Sequence, residues 1–160
     1  MKTSAKTSIK KIGIDFHGVI NTDTELFGNL SRIAAAHGAE VCIISGGPQN
    51  YIAEYLRQHQ IKYDVLWCLF DYFVAQNKVE FLPDGSFHVE DNAWNTAKAE
   101  YCRQHGIDLL IDDSPVYGRY FTTPYCRYES KSKIGILPNN KIIDFSFPAD
   151  DIWRQLESAG

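Results

Sequence analysis

The sequence has no long apolar run. The longest strongly apolar stretch, 65–70, covers six residues, against the roughly 20 that a helix needs to cross a bilayer. A membrane span is therefore excluded from the reading. The start, 1–11, is basic and Ser/Thr-rich, but no apolar stretch with a small-residue cleavage site follows it, so no secretory signal is expected. Positive charge is not in excess either. Sixteen Lys and Arg stand against twenty Asp and Glu, a net charge of −4 at pH 7. That balance disfavours bulk binding to nucleic acid or acidic membranes, and Lys2, Lys6, Lys10 and Lys11 read as a solvated arm. The four cysteines, Cys42, Cys68, Cys102 and Cys126, include no C-x-x-C pair, which removes the usual zinc and dithiol patterns. Cys42 and Cys68 lie inside apolar runs and read as small buried hydrophobes. Free cysteines of this kind suit a reducing cytoplasm. No internal repeat and no low-complexity linker divides the chain.

What is there suffices for one domain over 1–160. Of its residues 44% are hydrophobic and 22% charged, a globular balance. A chain of this length buries roughly 70% of its unfolded surface. Periodicity predicts strands at 10–20, 40–45, 63–70 and 108–111, and helices at 24–37, 50–59, 95–105 and 149–158. The second strand stops at Gly46-Gly47-Pro48. Between 71 and 89 the alternation breaks, and two short runs flank Pro83-Asp84-Gly85-Ser86, the pattern of a β-hairpin flap. Three β-leaning stretches follow at 119–128, 133–137 and 142–147. Strands alternating with helices predict an α/β fold, a three-layer Rossmann-like arrangement with a central, mainly parallel sheet. Continuously apolar strands such as Val41-Cys42-Ile43-Ile44 fit burial on both faces.

In such a sheet, ligands bind beyond the carboxyl ends of the strands. Asp15-Phe16-His17-Gly18 follows the first strand, Ser45-Gly46-Gly47 ends the second, and Asp112-Asp113-Ser114 ends the fourth. Lys98 sits in the helix just before the fourth. Each residue alone has an ordinary explanation: a turn, an N-cap or a solvated charge. Together they make a coherent set. Converging carboxylates repel unless a hard cation sits between them, and Mg²⁺ takes oxygen ligands while leaving room for a substrate phosphate. Ser45 and backbone N–H groups at a helix start would hold the anion, and Lys98 would neutralise charge.

The order Asp15-x-His17-Gly18-Val19-Ile20, a strand ending in Ser45, a helix lysine and a strand ending in Asp112-Asp113 resembles the haloacid dehalogenase-like phosphohydrolases over about residues 10–115. The resemblance implies a Mg²⁺-dependent phosphatase acting on a phosphomonoester through an aspartyl-phosphate. On it, Asp15 is the nucleophile and a metal ligand, and Ser45 with Gly46 binds the phosphate. Lys98 neutralises charge, and Asp112 and Asp113 complete the metal site. His17 replaces the family's second aspartate. It is expected to act as the acid/base, its position also meeting the metal, unless the change has left a phosphate-binding module without turnover or a phosphotransferase.

Only thirty positions separate Asp15 from Ser45, and a helix consumes about half of them, so no cap domain fits there. The site should be open, covered by the 71–89 hairpin alone or by a second subunit. Tyr72, Phe73, Phe81, Phe87 and Trp94 are the aromatic residues near it, candidates for a substrate platform or for the core. Histidines 37, 59 and 105 fall at predicted helix ends, where a cation suits the dipole.

Overall fold

The computed structural model describes residues 8–159, so most of the expected arm lies outside the described residues. In chain order the elements are β1 (Lys11–Ile14), α1 (Thr24–Ala36), β2 (Glu40–Ser45), α2 (Gln49–Gln58), β3 (Val65–Cys68) and α3 (Leu69–Ala75). There follow β4 (Glu80–Phe81), β5 (Phe87–His88), α4 (Asp91–Gln104) and β6 (Leu109–Asp112). The chain then closes with β7 (Tyr125–Glu129), β8 (Ile134–Ile136), β9 (Ile142–Asp144) and α5 (Ala149–Ser158). Seven strands form one sheet in the order β3-β2-β1-β6-β7-β8-β9. The first five are parallel and the last two antiparallel. This is the α/β, Rossmann-like arrangement with a small hairpin that the sequence predicts.

Alternation along the strands sorts side chains onto two faces. Ile12, Ile14, Val41, Ile43, Leu109 and Ile111 share one core with Phe27, Leu30 and Ala34 of α1 and with Ile152, Trp153 and Leu156 of α5. Cys42, Ile44 and Leu110 point the other way and pack with Cys102 of α4. Fully burying each large apolar side chain is worth roughly 1.5–3 kcal/mol, so both layers are anchored by the sheet. Gly13 lies on the α4 face, where a Cβ would stand 2.9 Å from both Ile44 and Leu110. A side chain there would push apart strands that the fold needs adjacent.

Several boundaries differ from expectation: the strand expected over 10–20 ends at Ile14, with a 3₁₀ turn at Ile20–Thr22, and α4 starts at Asp91 rather than at 95. The apolar run at 63–70 splits into strand and helix. Asp71 falls in the first turn of α3, and its Oδ2 accepts the Gln49 N–H at 2.8 Å. Short apolar runs carry no period of their own, and tertiary contacts decide them. The stretch at 119–128 is β only from Tyr125, the segment before it containing a 3₁₀ turn. A hairpin forms around the expected turn but is shorter than 71–89, because 71–75 belong to α3: Phe81 pairs with Phe87, and Asp84 Oδ1 accepts the Ser86 N–H at 2.9 Å. Among the described residues no helix is long and apolar enough to cross a membrane.

Candidate functional site

β1 and β6 are neighbours whose connections run in opposite directions. From β1 the chain proceeds to β2 and β3 on one side, and from β6 to β7 on the other. At such a reversal the outgoing loops part and leave a crevice beyond the strand ends. Ile14 lies opposite Ile111, and the Asp15 N–H donates to the Ile111 carbonyl at 2.9 Å. The next residue on each chain therefore brings a carboxylate to the crevice. These are Asp15 and Asp112, both buried.

Lys98 reaches this point from α4. Its side chain is 2% exposed, and its Nζ stands 3.2 Å from Asp15 Oδ1 and 2.7 Å from Asp112 Oδ2. Burial works against the charged ammonium, but the two carboxylates outweigh it and hold Lys98 above the ordinary lysine range. The helix is set for this by Glu90, whose carboxylate accepts the N–H groups of Asn92 and Ala93.

Asp113 completes the cluster. One ligand atom from each of Asp15, Asp112 and Asp113 lies within 4.8 Å of the others. Asp113 can approach because residue 18 is glycine. Gly18 has φ +81°, and a Cβ there would sit 2.0 Å from Asp113 Oδ2. Burial, first, lifts the Asp15 carboxyl above the usual carboxylate range. Lys98 pulls it down, and Asp112 and Asp113 push it up again. Burial and then Asp112 raise Asp113 as well.

Several carboxylate oxygens are already engaged. Asp15 Oδ1 accepts the Phe16 N–H at 2.8 Å, and Asp112 Oδ1 accepts the Ser114 N–H at 3.0 Å. The Tyr125 hydroxyl donates to the Ser114 carbonyl and braces that loop. Three carboxyl groups crowd one ammonium in a low-dielectric site, and the raised Asp15 and Asp113 carboxyls express that burial and repulsion. Oxygen-only donors at this spacing fit a hard cation such as Mg²⁺.

Ser45 ends β2, fully buried, and its hydroxyl has no hydrogen-bond partner among the described residues. A buried hydroxyl without a partner costs about 1–3 kcal/mol, a cost that a bound oxyanion would offset. His17 behaves otherwise. Its ring is exposed, and its Nε2 donates to the Gly47 carbonyl at 3.2 Å. It also lies edge-on to Phe16, ring centroids 4.9 Å apart. The imidazole is thus tied to the loop after Ser45 and stands outside the carboxylate cluster. Of the residues singled out in the sequence, the structure brings Asp15, Lys98, Asp112 and Asp113 into contact.

The cysteines take no part. All four are free and buried, and burial pushes the thiols of Cys68, Cys102 and Cys126 up to about 12. They stay protonated and unreactive. Of the aromatic candidates, Phe73 is in the core and Tyr72 packs on Trp67. Phe87 and Trp94 instead line a recess next to Ser45 together with Phe70. Phe70 was missed in the sequence because it reads as the end of a strand.

No protein-family model matches the chain, and no curated protein does. Among solved structures, it is similar to glycinamide ribonucleotide transformylase 1 from Symbiobacterium toebii. The TM-score is 0.42 and the identity 13%, over 94% of this chain and 82% of that one. A likeness of that size assigns no activity. These findings correct the expectation drawn from motif order. No family model and no curated relative carries the haloacid dehalogenase-like assignment. The Mg²⁺-dependent phosphatase, the phosphotransferase and the phosphate-binding module without turnover, all read from that resemblance, are withdrawn with it. The physical reason lies in the fold. Any doubly wound sheet collects polar residues at its carboxyl edge, so their order along the chain follows the topology as much as the ancestry.

Proposed function

We propose that the crevice between β1 and β6 binds one hard divalent cation, Mg²⁺, through Asp15, Asp112 and Asp113, and with it a small oxyanionic ligand on which the protein acts as an enzyme. The observation that carries this reading is the charge of the cluster: three carboxylates gathered within 4.8 Å, balanced by the single ammonium of Lys98. When bound, the cation supplies Lewis-acid polarisation of a ligand oxygen.

The chain's own groups do the rest. Lys98, locked by two ion pairs, holds Asp15 and Asp112 in place and offsets part of their negative charge. The Ser45 hydroxyl, with no other partner, donates to the anion, and the Gly46 backbone adjoins it without a side chain in the way. The His17–Gly47 hydrogen bond fixes the loop that carries these donors. A reducing, cytoplasmic setting suits the four free thiols.

The test is calorimetry of the metal-free protein with magnesium chloride, followed by inorganic phosphate. One Mg²⁺ per chain should bind, Asp112→Asn should weaken it at least tenfold, and Ser45→Ala should weaken phosphate but not Mg²⁺. Manganese should broaden the amide signals of Phe16 and Ser114. Absence of magnesium binding in the millimolar range, with no broadening at these positions, would overturn the reading.

A further inference from the structure

Next to the crevice lies a recess of about 290 Å³ lined by Gly46, Gly47, Pro48, Phe70, Phe87 and Trp94. It is small beside the roughly 300–1,000 Å³ of a site that encloses a whole ligand, so it suits one moiety of a larger molecule. No charged side chain lines it. One wall is the glycine backbone that continues from Ser45. The other is aromatic and comes from three separate elements: Phe70 on α3, Phe87 on the hairpin and Trp94 on α4.

Ring geometry makes that wall a preformed surface. Phe70 and Phe87 have centroids 4.8 Å apart at 58°, and Phe87 and Trp94 are 5.7 Å apart at 49°. Behind Trp94, buried Phe73 lies nearly parallel to it at 6.0 Å and 24°, fixing the indole from the core side. A Cβ at Gly46 would stand at ordinary contact distance, 3.7 Å, from Trp94 Cζ2, so the indole edge bounds the recess beside the Gly46 backbone. A recess bounded by three aromatic rings, a proline and glycine backbone, with no charged side chain, accepts an uncharged aromatic ring better than a charged group.

We propose that this slot seats a flat aromatic ring, of the nucleobase or aryl class, carried by the same ligand whose oxyanion is held at Ser45 and the carboxylate cluster. For its anionic end the proposal rests on the function proposed above. Its own basis is the slot and its continuity with the anion site. Gly46 and Gly47 line the slot and directly follow Ser45, and the Gly47 carbonyl is held by His17 at 3.2 Å. One short segment thus touches both ends of the ligand. The hairpin, packed through Phe87 on Phe70 and Trp94, becomes the specificity element of the site.

The experiment compares adenosine 5′-monophosphate with ribose 5-phosphate by calorimetry in magnesium, using the full chain. The ring should improve affinity by about 5- to 150-fold, the range for stacking a base on aromatic side chains. Phe87→Ala and Trp94→Leu should collapse that ratio towards one. Because the readout is a ratio, a general loss of binding cancels. Phe87 lies on the hairpin with 42% exposure, so folding is not at stake in that variant. In parallel, neutral adenosine should shift the indole N–H resonance of Trp94. Equal affinities for the two phosphates in the wild type, or a ratio that survives both variants, would overturn the ring slot. Phosphate binding without any adenosine shift at Trp94 would also overturn it, leaving the cation site standing. An adenosine shift with no magnesium-dependent phosphate binding would instead overturn the cation site.

Discussion

Lys98 and Asp112 are joined by a 2.7 Å ion pair in which neither side chain is more than 2% exposed. A helix residue and the last residue of a strand thus neutralise each other in the interior. Such a pair is weak support for stability, but breaking one side of it is expensive, roughly 3–5 kcal/mol. Lys98→Met should therefore lower the urea midpoint strongly in chelator, leaving three carboxylates uncompensated. Magnesium should restore part of the loss. Equal stability of wild type and variant in chelator would contradict this account of the cluster.

Asp113→Asn should do the opposite to the metal-free protein. It removes one of the crowded negative charges, so the chain should be more stable than wild type in chelator. The same change should weaken the magnesium-induced rise in melting temperature. For a bound cation at one hundred times its Kd, that rise corresponds to about 2.7 kcal/mol in the wild type. Thermal melts with and without magnesium read both effects. A variant less stable in chelator with an intact magnesium shift would refute the charge argument.

Gly18 and Gly38 share a left-handed backbone, φ +81° and +83°, but differ in surroundings. A Cβ at Gly18 meets Asp113 at 2.0 Å, whereas one at Gly38 meets nothing within 4 Å. Gly38→Ala should thus cost only the conformational strain, about 1 kcal/mol. Gly18→Ala should cost more and should also displace Asp113, weakening magnesium. Equal losses in the two variants, with magnesium affinity unaltered, would mean that Asp113 is not held by residue 18.

Asp23 caps α1, its Oδ1 accepting the Leu26 N–H at 3.1 Å and its Oδ2 the Lys133 ammonium at 2.8 Å. Partial burial raises its carboxyl, but these two partners outweigh burial and hold it below the usual range. A carboxyl depressed in the folded state adds stability above its unfolded pKa, near 3.9, and that contribution is lost as pH falls through the lower folded value. Asp23→Ala should consequently cost about 1 kcal/mol at pH 7, as lost helix caps do. The gap should narrow below about pH 4. Urea unfolding at pH 7 and pH 3 measures it, and a gap that widens in acid would reverse the assignment.

The sequence by itself determined the alternation of strands and helices, because side-chain period is a local property of the backbone. It also placed Asp15, Ser45 and Asp112 at strand ends, since a parallel sheet buried on both faces tolerates charge only where its strands stop. The tertiary structure alone decided which of these meet. Strand order puts β1 beside β6 although 94 residues lie between Ile14 and Leu109 in sequence, and that adjacency unites Asp15 with Asp112. Only packing of α4 could show that Lys98 turns inward with its full charge rather than lying on a solvated face. The same holds for His17, whose position in the sequence suggests the acid/base and whose ring instead bonds the Gly47 carbonyl. Phe70 entered the ring slot because 69–75 became helix, a choice that the apolar run leaves open and that the Asp71–Gln49 contact settles. Local pattern names the residues at an edge, and long-range contacts, which no spacing encodes, arrange them into a site.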